Sequence, residues 1–217
     1  MDGVTSVLVV DDHALFRDGL VALISRWDDF EVVGTASNGT EGIAAARRLR
    51  PQLVLMDVRM EGVGGIEATR VIATENPDIR VVMLTMSSLG EDVFEALRNG
   101  AHGFLSKDEP ADRLHDYLIG LMRGEAALSS TVAARVLAEF AAPHGSRAVP
   151  MPDERLTHRE QDVLRLVVEG RSNDEIAQAL FLSEATVKKH LGSIMTKLHV
   201  RNRVQAAVLG VRHGLVD

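Results

Sequence analysis

The chain has 217 residues, 46% apolar and 25% charged, with no cysteine, six prolines, and 24 basic against 31 acidic side chains for a net charge of −7. This is a globular composition that excludes disordered, fibrous and membrane classes, and the missing thiols exclude disulfides, thiolate zinc sites and cysteine nucleophiles. The first apolar run, Val7 to Val10, lacks a basic flank and stops at Asp11 and Asp12, too short for a leader peptide or a spanning helix, so a cytoplasmic protein is expected.

Short apolar runs then alternate with helical patterns. The runs are Val7–Val10, Val32-Val33, Leu53–Met56, Val81–Leu84 and a weaker one at Gly103-Phe104-Leu105. Strands this short and apolar on both faces suit a parallel sheet covered by helices. Between them Leu15, Leu20, Leu23 and Ile24 keep helical spacing, as do Ile66, Val71 and Ile72, and Val93, Phe94 and Leu97. Pro51, Asn76-Pro77 and Asn99-Gly100 punctuate the joins, which predicts five βα units in a doubly wound α/β sheet. A last helix of this part is predicted over 111–122 and one more over 131–140.

Residues 141–152 hold three of the six prolines with no apolar period and read as a linker. Cutting the chain there divides its charge: residues 1–140 carry 13 basic and 22 acidic side chains, residues 141–217 carry 11 and 9. The predicted organisation is a first domain at 1–124, a linker helix and Pro-rich segment at 125–154, and a small all-α domain at 155–217.

That small domain has legible caps. Thr157 with Glu160 and Ser172 with Glu175 form two capping boxes, Gly170 is placed to close the first helix, and Ser183 caps a third. A fourth helix is predicted over 203–213. The second and third helices, separated only by Phe181-Leu182-Ser183, make a helix-turn-helix candidate.

In an open parallel sheet, ligands bind outside the carboxyl ends of the strands. Asp11 and Asp12 follow the first predicted strand, Asp57 the third, Thr85 ends the fourth and Lys107 follows the fifth. Three carboxylates so gathered repel one another, and a hard divalent cation such as Mg²⁺ neutralises them. Lys107 and the Thr85 hydroxyl would face an anion recruited there. A carboxylate nucleophile, a metal, a lysine and a hydroxyl are the parts needed to accept a phosphoryl group.

The segments from Val9 to Leu20, Leu55 to Met60, Leu84-Thr85 and Gly103 to Lys107 resemble the CheY-like receiver domain of bacterial two-component response regulators. The resemblance implies Asp57 as phosphoacceptor, Asp12, Asp57 and the Arg59 backbone carbonyl as Mg²⁺ ligands, and Asp11 acting through a metal-bound water. It also implies Thr85 as switch hydroxyl, Phe104 as the aromatic that moves with it, and Lys107 as the cation on the phosphoryl oxygens. The chain departs from the family pattern at Glu61 and Gly64, where proline and aspartate are usual, and at Asp108, where proline usually follows the lysine. Gly62, Gly64 and Gly65 are expected to loosen the loop, and Glu61 to add charge beside the metal.

Leu156 to Leu164, Ser172 to Ala177 and Leu182 to Leu191 resemble the LuxR-type helix-turn-helix, so the whole is identified as a response regulator of the NarL/LuxR (FixJ) family. In that arrangement the third helix enters the major groove, N-terminal residues first. Val187, Leu191, Ile194 and Leu198 fall on one face and should be core. That leaves Thr186, Lys188, Lys189 and Gly192 outward, with Lys188 and Lys189 toward bases or nearby phosphates and Lys197, Arg201 and Arg203 toward the backbone. His190 and His199 have no partner at ligand spacing and are read as packing or surface residues. The resemblance implies a sensor histidine kinase and double-stranded promoter DNA as partners, and a homodimer through the fourth helix. A phosphohydrolase of the haloacid dehalogenase type is disfavoured because Arg59 stands where such enzymes have a second aspartate, so no enzyme acting on an external substrate is expected. A DNA-binding protein with an idle receiver is the other alternative.

Overall fold

The computed structural model describes residues 3–86, 90–125, 127–128, 156–200, 202–212 and 215. The helix expected over 131–140, the Pro-rich linker and Arg201 lie outside these. The first part runs β1 (Thr5–Val10), α1 (Ala14–Ile24), β2 (Phe30–Ala36), α2 (Gly39–Leu49), β3 (Leu53–Asp57), α3 (Gly65–Glu75), β4 (Arg80–Thr85), α4 (Gly90–Arg98), β5 (Gly103–Ser106), α5 (Ala111–Met122) and β6 (Ala127–Leu128). The second part is α6 (His158–Val168), α7 (Asn173–Leu180), α8 (Glu184–Lys197) and α9 (Arg203–Arg212). No described helix is long and apolar enough to cross a membrane.

The strands pair in the order β2-β1-β3-β4-β5-β6, all parallel. The period of two sorts their side chains between two cores. Val7, Val9, Leu53, Leu55, Val82, Leu84 and Leu105 pack with Leu20 and Ile24 of α1 and Leu114, Leu118 and Leu121 of α5. Leu8, Val10, Val54, Met56, Val81, Met83 and Phe104 pack with Ala45 and Ala46 of α2, Ala68 and Ile72 of α3, and Val93, Ala96 and Leu97 of α4. Each strand is apolar on both faces because helices cover both.

The five predicted strands all form, and a short sixth, β6, adds to them by pairing with Gly103 and Phe104 at the edge of β5. Two residues carry no readable period, and the approach depends on Gly103, where a Cβ would stand 2.6 Å from the Ala127 carbonyl oxygen. Leu15, at core spacing in the sequence, is 79% exposed, because α1 turns the face of Phe16, Leu20 and Ile24 to the core instead. The glycines after Asp57 do not act alike. Gly62 takes a left-handed φ of 75°, but Gly65 is a close-packing site, with a Cβ there falling 1.8 Å from the Asp57 carbonyl oxygen. No described peptide bond is cis, Lys107–Asp108 included.

The four C-terminal helices enclose a separate core of Val163, Leu164, Val167, Ile176, Val187, Leu191, Ile194, Leu198 and Ala206. Both capping boxes form, with Thr157 and Ser172 each accepting from the backbone of the glutamate three residues on, and Ser183 accepts from Thr186 N–H. The two parts touch through α9 and α7. Val204 is buried in the same cluster as Phe104, Asn202 Nδ2 donates to the Ala101 carbonyl at 2.7 Å, Gln205 Nε2 donates to the Leu97 carbonyl, and Asn173 Nδ2 donates to the Arg123 carbonyl at 2.8 Å.

Candidate functional site

The carboxyl ends of β1, β3, β4 and β5 bring the predicted acidic-site residues together. Asp57 is the last residue of β3, Thr85 the last of β4 paired with Ser106, and Asp11 and Lys107 directly follow β1 and β5. Asp11, Asp57 and Thr85 are buried and Asp12 is exposed. One carboxylate oxygen from each of Asp11, Asp12 and Asp57 lies within 4.8 Å of the others, a spacing that could hold a metal ion.

Lys107 Nζ stands 2.7 Å from Asp11 Oδ2 and 3.0 Å from Asp57 Oδ2. Asp11 spends its other oxygen on His13 N–H at 2.9 Å, near the open start of α1, where His13 gives no side-chain cap. Among the described residues, the buried Asp11 Oδ2 makes no hydrogen bond of good geometry and pairs as an ion with Lys107. Burial pushes the Asp57 carboxyl above its ordinary value. Lys107 opposes this by hydrogen bond and charge, Asp11 reinforces it, and the Arg59 backbone N–H opposes it. The Lys107 N–H donates to the Thr85 carbonyl at 2.8 Å, tying the end of β5 to the last residue of β4.

Two neighbours were not foreseen. The Phe16 ring lies 4.7 Å from Lys107 Nζ, and Arg17 donates to the Asp11 carbonyl at 2.6 Å. Both stand on the first turn and a half of α1, where a cation–π contact and a guanidinium hold the aspartate loop; the Phe16-Arg17 pair after the aspartates was the available signal. Phe104, expected to move, is fully buried on the α2–α4 side of the sheet.

On the second candidate site, Val187, Leu191, Ile194 and Leu198 are buried as their spacing predicts. Lys188 and Lys189 are exposed on α8, and Lys188 pairs with Glu184 one turn back at 3.0 Å. Thr186 is half-buried, its hydroxyl 2.8 Å from that of Ser183. Two expected backbone contacts are otherwise engaged. Lys197 Nζ is 2.8 Å from Glu160 Oε2, because the capping-box carboxylate of α6 reaches α8 and also accepts from Ser193 at 2.7 Å. Burial works against the Glu160 anion, but the hydrogen bonds from Lys197, Ser193 and Thr157 prevail and hold its pKa down to about 2. Arg203 is buried, donating to Asn173 Oδ1 at 2.7 Å and to the Arg171 carbonyl. His199 is exposed and His190 half-buried, and neither joins a described metal-ligand cluster. Lys188, Leu191 and Met195 of α8 line a cavity of about 240 Å³ whose other walls include Arg80, His102 and Leu121 of the first part.

Comparison with known proteins agrees with this division. Residues 7–119 match the family described as response regulator receiver domain, and residues 154–209 match bacterial regulatory proteins of the luxR family. The transcriptional regulatory protein LiaR of Bacillus subtilis is 40% identical, over 97% of this chain and 99% of its own. The response regulator protein VraR of Staphylococcus aureus is 38% identical, over 97% and 98%. Among solved structures, the response regulator ChrA of a heme-sensing two-component system aligns with TM-score 0.52 and 33% identity, over 99% of this chain and 100% of that one. RcsB of Salmonella typhimurium aligns with TM-score 0.59 and 25% identity, over 94% and 97%. On this evidence the chain belongs to the LuxR-type response regulators of two-component systems, a receiver domain joined to a helix-turn-helix DNA-binding domain.

Proposed function

We propose that a sensor histidine kinase transfers a phosphoryl group to Asp57 and that the change in the receiver frees the C-terminal domain to bind promoter DNA in the cytoplasm. The observation that carries this is the Lys107 ammonium within 3.0 Å of both buried carboxylates, at the strand ends that also present Thr85. An Asp57 oxygen attacks phosphorus, the bond from phosphorus to the donor imidazole nitrogen breaks, and that nitrogen keeps the electron pair and takes a proton. Lys107 then meets the new phosphoryl oxygens and the Thr85 hydroxyl turns toward them. Water attack on the acyl phosphate returns Asp57 and releases phosphate, the only turnover this reading includes.

The donor set fits a divalent cation. Its oxygens are hard, its three carboxylates share one neighbourhood, and the buried Asp11 Oδ2 has one ion pair to satisfy it. Asp12, Asp57 and the Arg59 backbone carbonyl would hold Mg²⁺, with Asp11 behind a water, and the ion supplies charge neutralisation to the phosphoryl oxygens.

Coupling to DNA follows from the docked α9. Phe104 shares a buried cluster with Val204, and Asn202 holds the Ala101 carbonyl two residues before β5. A shift of Thr85 and Phe104 therefore reaches the contact that keeps α9 on the receiver and Lys188 beside the interdomain cavity. Released, α9 offers Val204 and Val208 to a second copy, and a dimer reads two half-sites. Mass spectrometry after incubation with acetyl phosphate and Mg²⁺ tests the first step. One added phosphoryl group on wild type and none on Asp57→Ala is expected; no addition to wild type, or equal addition to both, refutes it.

A further inference from the structure

We infer that Phe181, with Ala185 beyond it, forms an apolar reading edge that contacts thymine 5-methyl groups in the bound DNA. Phe181 ends α7 in the left-handed region, at φ 54° and ψ 46°, and the residue is 96% exposed. Both features are unfavourable for an aromatic residue, since glycine or asparagine takes that backbone at less cost and burial would reward the ring. The turn itself does not need the ring, because Phe181 N–H to Gln178 and Leu182 N–H to Ala177 close it through the backbone.

The placement identifies the occupant. Phe181 stands two residues before Ser183, the N-cap of α8, at the end of the helix that enters the major groove first. Ala185 is exposed in the first turn of α8, three and four residues before exposed Lys188 and Lys189, so it stands on the same helix face as the basic pair that draws the polyanion. The one group in the major groove that rewards an apolar side chain is the thymine methyl, which alanine and phenylalanine both contact. The edge adds base discrimination at the leading end of α8, where Gly192 further along has open space and no side chain to read with.

The inference rests on α8 being the reading helix, and the test separates the two. A duplex is selected from a random pool with the acetyl-phosphate-treated full chain, then remade with every thymine replaced by uracil, which removes the methyls and keeps the hydrogen-bonding edges. Wild type should bind the uracil duplex about fourfold more weakly for each methyl contacted. Phe181→Asn combined with Ala185→Ser should keep or raise Tm, bind the thymine duplex as weakly as wild type binds the uracil duplex, and lose little more on uracil. Lys189→Ala should weaken both duplexes by one factor. Wild type indifferent to uracil, or a double variant with wild-type affinity, overturns the inference while a weakened Lys189→Ala keeps α8 as the reading helix. If Lys189→Ala also binds like wild type, the reading face itself is misassigned. Unchanged DNA binding with lost transcription from the same site would assign Phe181 to a protein contact and equally overturn it.

Discussion

Lys107 and Lys188 carry the same ammonium, but the first is 5% exposed between two carboxylates and the second is 49% exposed with one glutamate a turn away. The receiver concentrates its charge where water is scarce, so a few groups can recognise one small dianion with strong, short-range interactions. The effector spreads its charge in solvent, where each lysine is worth little to the fold and is open to a polyanion whose binding gains by releasing counterions. Removing a charge should therefore damage the receiver as a folded object and the effector only as a binder.

The largest break in that comparison comes from Lys107→Ala. It strands the Asp11 and Asp57 carboxylates without their cation, and losing one partner of a buried ion pair costs about 3–5 kcal/mol. The receiver unfolding transition, followed through Trp27, should fall by that order and phosphoryl incorporation at Asp57 should drop at least a hundredfold. A receiver of unchanged stability would mean that the three charges are not coupled. Gly65→Ala acts on the same site without touching a charge. Its Cβ would overlap the Asp57 carbonyl oxygen at 1.8 Å, so α3 must shift at a cost of about 2–4 kcal/mol, and incorporation should slow with it.

Glu160 blurs the division, because it is a buried charge inside the effector. Its carboxylate binds Lys197, Ser193 and Thr157, and its pKa of about 2 lies below the ordinary glutamate value of 4.5. A depressed folded-state pKa contributes stability that is present above 4.5 and lost as pH falls toward 2, on the order of 3 kcal/mol in full. Glu160→Gln, which can keep the capping box, should lower protection of α6 and α8 amides by about that amount at neutral pH, with the difference from wild type closing as pH approaches 2. A difference that does not depend on pH would mean packing, not charge, is what Glu160 supplies.

Legibility in the sequence followed the range of the interaction. The strand runs, the caps at Thr157, Ser172 and Ser183, and the aspartates, threonine and lysine at strand ends were readable because period, cap chemistry and strand-end position are local properties that topology then brings together. Lys197 and Arg203 read as DNA contacts because a basic residue on or after a helix looks the same whether its partner is a phosphate, a buried glutamate 37 residues away as for Lys197, or a buried asparagine 30 residues away as for Arg203. Gly65 was read as loosening because a glycine needed for close approach and one needed for freedom are the same letter. The docking of α9 on the receiver was beyond reach, since Val204 and Val208 form a stripe that any apolar surface could cover.

The smallest effect on the fold, and the sharpest contrast with Lys107, is expected from the α8 lysines. Lys188→Ala removes an exposed i,i+4 pair with Glu184, worth about 0.3–0.5 kcal/mol, and Lys189 has no ion pair among the described residues, so its loss should be within 0.5 kcal/mol. Binding is another matter. If each ammonium meets a phosphate, each substitution should weaken DNA binding on all sequences and reduce the slope of log K against log salt by about 1, whereas a base-edge contact would cost about 1–3 kcal/mol on the selected site alone and leave the slope nearly unchanged. Salt titrations on a selected and a scrambled duplex separate the two. Glu184, freed of Lys188 in the first case, stands at the entering end of α8 as an uncompensated anion, so Lys188→Ala should weaken binding more than Lys189→Ala on both duplexes, and the reverse order would place Lys189 closer to the DNA.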